Sequence, residues 1–183
     1  MDFFVSALAW LFDPSNYVSG SQTPLPINDR IVEHLTYTVI AVALSSLIAL
    51  PLGFFIGHTG RGRQFVIAVT GGARAMPTLG LLMAFSVIFG ALFSFTVSGY
   101  AAAFAALTIL AIPSSLAGAY AGIESVDRLT VDAARATGMS EWQILTKVEI
   151  PLALPLIIGG IRASTLQVIA TAVIASYIGL GGI

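Results

Sequence analysis

The run Val131-Asp132-Ala133-Ala134-Arg135-Ala136-Thr137-Gly138, with Ile150-Pro151 twelve residues past its glycine, holds the residues best suited to chemistry in this chain. That chemistry is recognition of charge by a built surface. Asp132 and Arg135 stand three apart on one helical face, where they either pair with each other or meet a charged partner. Ala133, Ala134 and Ala136 keep the surface low, so another backbone can come close. Bond-making constellations are missing. The chain has no cysteine and two histidines, and His34 and His58 are too far apart in sequence to form a metal site. No Gly-x-x-x-x-Gly-Lys-Ser/Thr occurs, and the glycines at 57, 60 and 62 lead into arginines in a turn, so ATP is not bound here.

Local signals predict how this loop is built. Asp127 is an N-cap for a helix running to Thr137, and Gly138 suits the left-handed residue that ends it. Ser140 caps a second helix, with Gln143 completing a capping box. On that helix Trp142, Leu145 and Val148 are expected to share one face, with Ile144 beside them. Pro151 is expected to bend the chain before it re-enters the membrane. Two readings are open on these residues alone. The loop is either a connector lying on the bilayer, with Trp142 among interfacial aromatics, or a docking element for a soluble partner.

The elements that position this loop are apolar. Ala75 to Ile123 contains no Asp, Glu, Lys, Arg or His, and neither does Ala163 to Ile183. The loop between them, residues 124–151, holds five acids and three bases. Overall 57% of residues are hydrophobic and 9% charged, with mean hydropathy +0.94; soluble domains carry about 25% charged residues. Lipid must therefore solvate much of the chain. A net charge of -1 argues against nucleic acid as a partner. Four spans are predicted: about Leu35 to Gly57 with Pro51 inside; Gln64 to Phe93, broken around 71–77; Tyr100 to Tyr120; and Leu152 to Ile178. Residues 3–12 read as a short interfacial helix ended by Asp13-Pro14, and residues 1–30 as an extracytoplasmic segment.

Basic residues orient the spans. Arg61, Arg63, Arg128, Arg135 and Lys147 fall on the side of the two loops, against Arg30 alone on the other. The positive-inside rule puts both loops in the cytoplasm and the N-terminus outside. Gly179-Leu180-Gly181-Gly182-Ile183 reads as a turn leading into further chain, so a missing tail is expected.

Within the spans, Arg74 beside Pro77 either snorkels to the cytoplasmic face or serves as a gate or pathway residue. Arg162, about 16 Å up the fourth helix from Pro151, must snorkel or face protein, and a structural role is expected. Gly118-x-x-x-Gly122, preceded by Ser114 and Ser115, reads as a close helix-packing face or as a flexible helix end. His34 and His58 read as interfacial residues. Tyr37, Tyr100, Tyr120 and Tyr177 are candidates for contact with a quaternary ammonium solute, or ordinary belt residues.

The loop resembles the EAA motif of type I ABC importer permeases, in which Glu-Ala-Ala is followed by Gly six residues after the acid and then Ile-x-Leu-Pro. Asp132 stands for the Glu, Ala133, Ala134, Gly138 and Pro151 match, and Val148 and Ile150 replace the Ile and Leu. The resemblance covers about residues 30–183. Gly57-His58-Thr59-Gly60-Arg61-Gly62, Arg74-Ala75-Met76-Pro77-Thr78-Leu79-Gly80, Tyr120-Ala121-Gly122-Ile123 and Tyr177-Ile178-Gly179-Leu180-Gly181-Gly182 look like osmoprotectant permeases for glycine betaine, carnitine or choline. Methionine and other amino-acid importers of the same fold are more distant.

The resemblance implies an all-α polytopic protein of the bacterial plasma membrane. It would have about four transmembrane helices, lack the family's last helix, and carry the permease domain over 31–183. The loop, about 124–151, would be the coupling-helix hairpin, with Asp132, Ala133, Ala134, Arg135, Gly138, Trp142, Ile150 and Pro151 meeting a cytoplasmic ATPase dimer that binds the ATP. The other implied partners are a second permease subunit, identical or homologous, and an extracytoplasmic substrate-binding protein, which would hold most of any aromatic cage. Arg74, Pro77 and Tyr177 would be the pathway or gate candidates. The chain itself would be no enzyme and hold no cofactor. The alternatives are a permease for an amino acid or related solute and, from other classes, a secondary transporter or a non-transporting scaffold.

Overall fold

The computed structural model describes residues 2–18, 26–73, 77–92 and 95–173. Helix α1 (Asp2–Leu11) is followed by a 3-10 turn at Pro14–Tyr17, capped by Asp13, whose side chain accepts from the Ser15 N–H. The remaining helices are α2 (Ile27–Thr59), α3 (Arg63–Ala73), α4 (Thr78–Gly90), α5 (Phe95–Glu124), α6 (Arg128–Ala136), α7 (Glu141–Ile144) and α8 (Ile150–Ala172). Three stretches are long and apolar enough to cross a membrane: Ile27–Thr59, Gly99–Glu124 and Glu141–Ala172. The expected second span is two shorter helices, α3 and α4, on either side of 74–77. Pro77 ends the break as the N-cap of α4, because a proline in a helix interior removes a hydrogen bond and clashes with the preceding turn.

Helix α5 is the axis of the bundle, and small residues are the reason. A Cβ built on Gly118 would lie 2.5 Å from the Gly160 Cα, so α5 and α8 touch backbone to backbone. Gly122 meets Ala153 on the same seam. On its other side α5 receives α2, where a Cβ on Gly53 would fall 2.5 Å from the Ala119 Cβ, and one on Gly57 would fall 2.7 Å from the Ile123 Cβ. In lipid no hydrophobic force drives helices together, so close approach through small residues carries the association. The packing-face reading of Gly118 and Gly122 therefore holds. Gly53-x-x-x-Gly57 has the same spacing and makes the matching seam on α2.

Larger side chains fill the gaps around this axis. Tyr37 and Ala41 of α2 pack with Leu107 and Ala111 of α5 and Val168 of α8, while Leu82 of α4 packs on Ala103 and Ala106. Polar atoms buried between helices are mostly paired: Ser115 Oγ donates to Ser164 Oγ at 3.0 Å, and Gln167 joins Ser114 to the Leu110 carbonyl. Such bonds average about 0.6 kcal/mol each in membranes, so they align the helices more than they bind them. His34 is buried between helices, with Nε2 3.0 Å from the Ile169 carbonyl.

Candidate functional site

The loop folds as its local signals dictate. Asp127 Oδ1 accepts the Leu129 N–H at 3.0 Å, starting α6. At the other end Met139 N–H donates to the Ala134 carbonyl and Gly138 N–H to that of Arg135. This is a Schellman motif, and it requires a left-handed residue at position 138. Gly138 supplies it with φ of 87°, and nothing lies within 4 Å of its would-be Cβ. Ser140 and Gln143 form the complete capping box. A valine at 138 would meet no clash, only the left-handed backbone penalty of about 1–2 kcal/mol. Gly138→Val is expected to lower the thermal stability of the purified protein by that amount, with faster hydrogen exchange confined to 128–144. An unchanged exchange pattern would show that the Schellman turn does not hold the hairpin.

Two expectations for the second half of the loop are corrected. Pro151 does not end the helix: α7 runs through a π turn at Leu145–Glu149 into α8, one continuous helix over Glu141–Ala172. The Ile150 N–H reaches back to the Leu145 carbonyl. The widened turn sits just where the Pro151 ring would otherwise meet the preceding backbone carbonyls, so the helix passes the proline unbroken. The π turn also alters the expected face. Ile144 and Leu145 are buried, whereas Trp142 is 71% exposed and borders an apolar cleft of about 500 Å³ with Phe54, Phe55 and Pro51 of α2. α7 and α8 are therefore continuous through the proline.

A charge network that sequence reasoning missed fastens this helix to α2. His58, in the last turn of α2, has Nδ1 2.6 Å from Glu149 Oε2 and Nε2 3.3 Å from Glu141 Oε2. The Glu149 side chain is 7% exposed and that of His58 14%. His58 is thus a clasp between the π turn and α7. Its legible signal is position: His58 and Glu149 flank the same edge of two spans. Arg135 closes the hairpin from the other side. It donates from Nε and Nη2 to the two carboxylate oxygens of Glu141 at 2.7 and 3.0 Å, and from Nη1 to Asp132 at 2.9 Å. The bidentate bond to Glu141 holds the Arg135 guanidinium above the ordinary arginine value, and the same bond holds the Glu141 carboxyl below the usual range. All three side chains remain about half exposed or more, so the network is an organised surface whose outer edge stays open to a partner.

The predicted site residues therefore divide. Asp132, Arg135 and Gly138 lie together on the hairpin, with Ala133 and Ala134 on α6 between them, Trp142 on α7, and Ile150 and Pro151 at the head of α8. A cleft of about 80 Å³ lined by Gly57, His58, Glu124, Arg128, Asp132 and Glu149 lies behind the hairpin. Arg74 and Tyr177 lie outside the described residues. Tyr37 is buried against Phe104 and Tyr100. Among the described residues, no group of three or more His, Cys, Asp or Glu could hold a metal ion.

Fold and site together describe a helical protein with three stretches long and apolar enough to cross a membrane and one charged hairpin before the last of them. Residues 49–183 match the family described as binding-protein-dependent transport system inner membrane component, and the chain belongs to that family. It is 34% identical over 151 residues to the glycine betaine/carnitine/choline transport system permease protein OpuCB of Bacillus subtilis, covering 82% of this chain and 66% of that one. It is 35% identical over 151 residues to the carnitine transport permease protein OpuCB of Listeria monocytogenes, with the same coverage. The osmoprotectant import permease protein OsmW of Salmonella typhimurium is 32% identical over 82% of this chain and 69% of its own length. The chain thus spans about two thirds of the length of these relatives. A crystal structure of an amino acid ABC transporter superposes with TM-score 0.64 at 19% identity, covering 96% of this chain and 76% of that one; that likeness establishes the fold. The chain is accordingly a multi-pass inner-membrane transport component.

Proposed function

We propose that this chain is the permease subunit of an ATP-driven importer for quaternary-ammonium osmoprotectants such as glycine betaine, carnitine or choline. The observation that carries the reading is the hairpin: α6 is tied to α7 by the bond from Arg135 to Glu141, and α7 runs on through the π turn into the spanning helix α8. A force applied to the hairpin therefore reaches the membrane as a tilt of α8. In this reading a cytoplasmic ATPase dimer grips the exposed edge of α6, around Asp132, Ala133 and Ala134, together with Trp142. Closure of the ATPases moves the lever between inward-open and outward-open states. A second permease subunit and an extracytoplasmic binding protein complete the assembly. The N-terminus and residues 1–30 lie outside, the hairpin in the cytoplasm, and residues 31–183 form the permease domain. The substrate class comes from the named relatives.

The test is uptake by the complete complex in proteoliposomes. ATP inside should drive accumulation of radiolabelled glycine betaine delivered by the binding protein, and no imposed ion gradient should replace it; gradient-driven uptake without ATP would favour a secondary transporter. Asp132→Lys places a cation against Arg135 and on the edge proposed to meet the ATPase. It is expected to cut uptake more than tenfold and to lose co-purification with the ATPase, whereas Asp132→Glu keeps the charge and both activities. Normal transport by Asp132→Lys would return the loop to a surface connector.

A further inference from the structure

Arg162 is the one ionisable side chain of α8 (Ile150–Ala172), and it faces away from the residues that α8 buries. Helix α8 buries Ala153, Ile157, Gly160, Ser164, Val168 and Ala172 at helical spacing. Arg162 is two residues from both Gly160 and Ser164, about 200° around the helix at 100° per residue, and is exposed. It makes no ion pair or hydrogen bond among the described residues. Twelve residues beyond Ile150, it lies about 18 Å along the helix. In a core of about 30 Å that leaves about 12 Å to the nearer edge, beyond the reach of its own stem to a headgroup.

A charge at that depth must face protein or water, and the sequence narrows what protein offers. No acidic residue occurs between Glu33 and Glu124, and none after Glu149. Residues 34–123 and 150–183 of a second copy would therefore bring Arg162 no carboxylate. Pressed together, two such faces would oppose like charges across a dry interface. Water, or a solute anion within it, can supply the partner that these segments do not.

We infer that Arg162 lines the aqueous solute path and binds the carboxylate of a zwitterionic solute at mid-membrane. The guanidinium fork matches a carboxylate in two parallel hydrogen bonds, while its charge opposes entry of a solute that is only a cation. This rests on the osmoprotectant reading and deepens it: glycine betaine and carnitine carry a carboxylate, and choline does not.

Because the chain has no cysteine, Arg162→Cys can be labelled singly in the assembled complex, with any cysteines of the partner subunits replaced. A small water-soluble methanethiosulfonate should modify it, and modification should slow when binding protein and saturating glycine betaine are supplied. In uptake, Arg162→Gln should lower glycine betaine transport at least tenfold while leaving choline transport, where the complex has it, unchanged or raised. Arg162→Lys, which keeps the charge, should recover most of the glycine betaine transport. Absence of labelling overturns the inference by placing Arg162 against lipid or a dry partner surface. Equal losses for both solutes, or no loss for either, also overturn it, assigning the residue to packing alone. If the unmodified complex carries neither solute, the osmoprotectant reading fails and the carboxylate role falls with it; labelling then still decides whether Arg162 faces water.

Discussion

Gly160→Ala is expected to destabilise the protein markedly, while the same change at its neighbour Gly159 should be harmless or slightly stabilising. The added methyl at 160 would lie 2.7 Å from the Gly118 Cα and 3.0 Å from the Ser114 carbonyl oxygen. Neither is a flexible side chain that can move aside, so the two helix axes must separate. Overpacking of this kind costs about 1–3 kcal/mol, occasionally more, and here it would also stretch the Ser115–Ser164 and Gln167 bonds. At Gly159 the methyl meets nothing within 4 Å. There the gain in helix propensity, up to about 1 kcal/mol, stands unopposed. Thermal unfolding of the two variants in the same detergent decides the matter. Equal stability would mean that α5 and α8 do not approach through Gly118 and Gly160.

His58→Ala should be the most costly change at the hairpin end. It leaves the buried Glu149 side chain without this hydrogen bond, a loss of about 1–3 kcal/mol for a stranded buried polar group and more for a charged one. Removing both groups should cost less than the sum of the single changes, because the second truncation relieves the stranded group. The double-mutant cycle of His58→Ala with Glu149→Ala is therefore expected to show coupling at the upper end of the 0.5–3 kcal/mol range for contacting residues. Strict additivity would mean that the clasp does not join α2 to the π turn. If the clasp holds the lever, His58→Ala should also uncouple ATP hydrolysis from uptake in the assembled complex. That readout separates coupling from stability alone.

Hydropathy and local capping chemistry settled much of this protein in advance. The long apolar runs required membrane helices because their residues have no other solvent. The hairpin's ends were legible because Asp127, Gly138 and the Ser140–Gln143 box act on backbone groups within a few residues, and the tertiary fold has little power to override them. The spacing of Gly118 and Gly122 left a packing face and a flexible helix end open; the close approach to α8 decided for the seam, and Gly53 and Gly57 share the spacing.

The tertiary structure decided what depends on distant partners. Ninety-one residues separate His58 from Glu149, so no local pattern tells an interfacial histidine from a clasp. Arg135 had an acid at i−3 and another beyond the turn; only the angle of the hairpin brought Glu141 into its fork. Pro151 was read as a bend because proline breaks an isolated helix. Its cost is instead absorbed by a π turn whose residues Leu145 and Glu149 are buried against the bundle. Which side of α8 stays uncovered follows from the glycine seam on its opposite face. An apolar helix with one arginine reads the same from every side until its neighbours are in place.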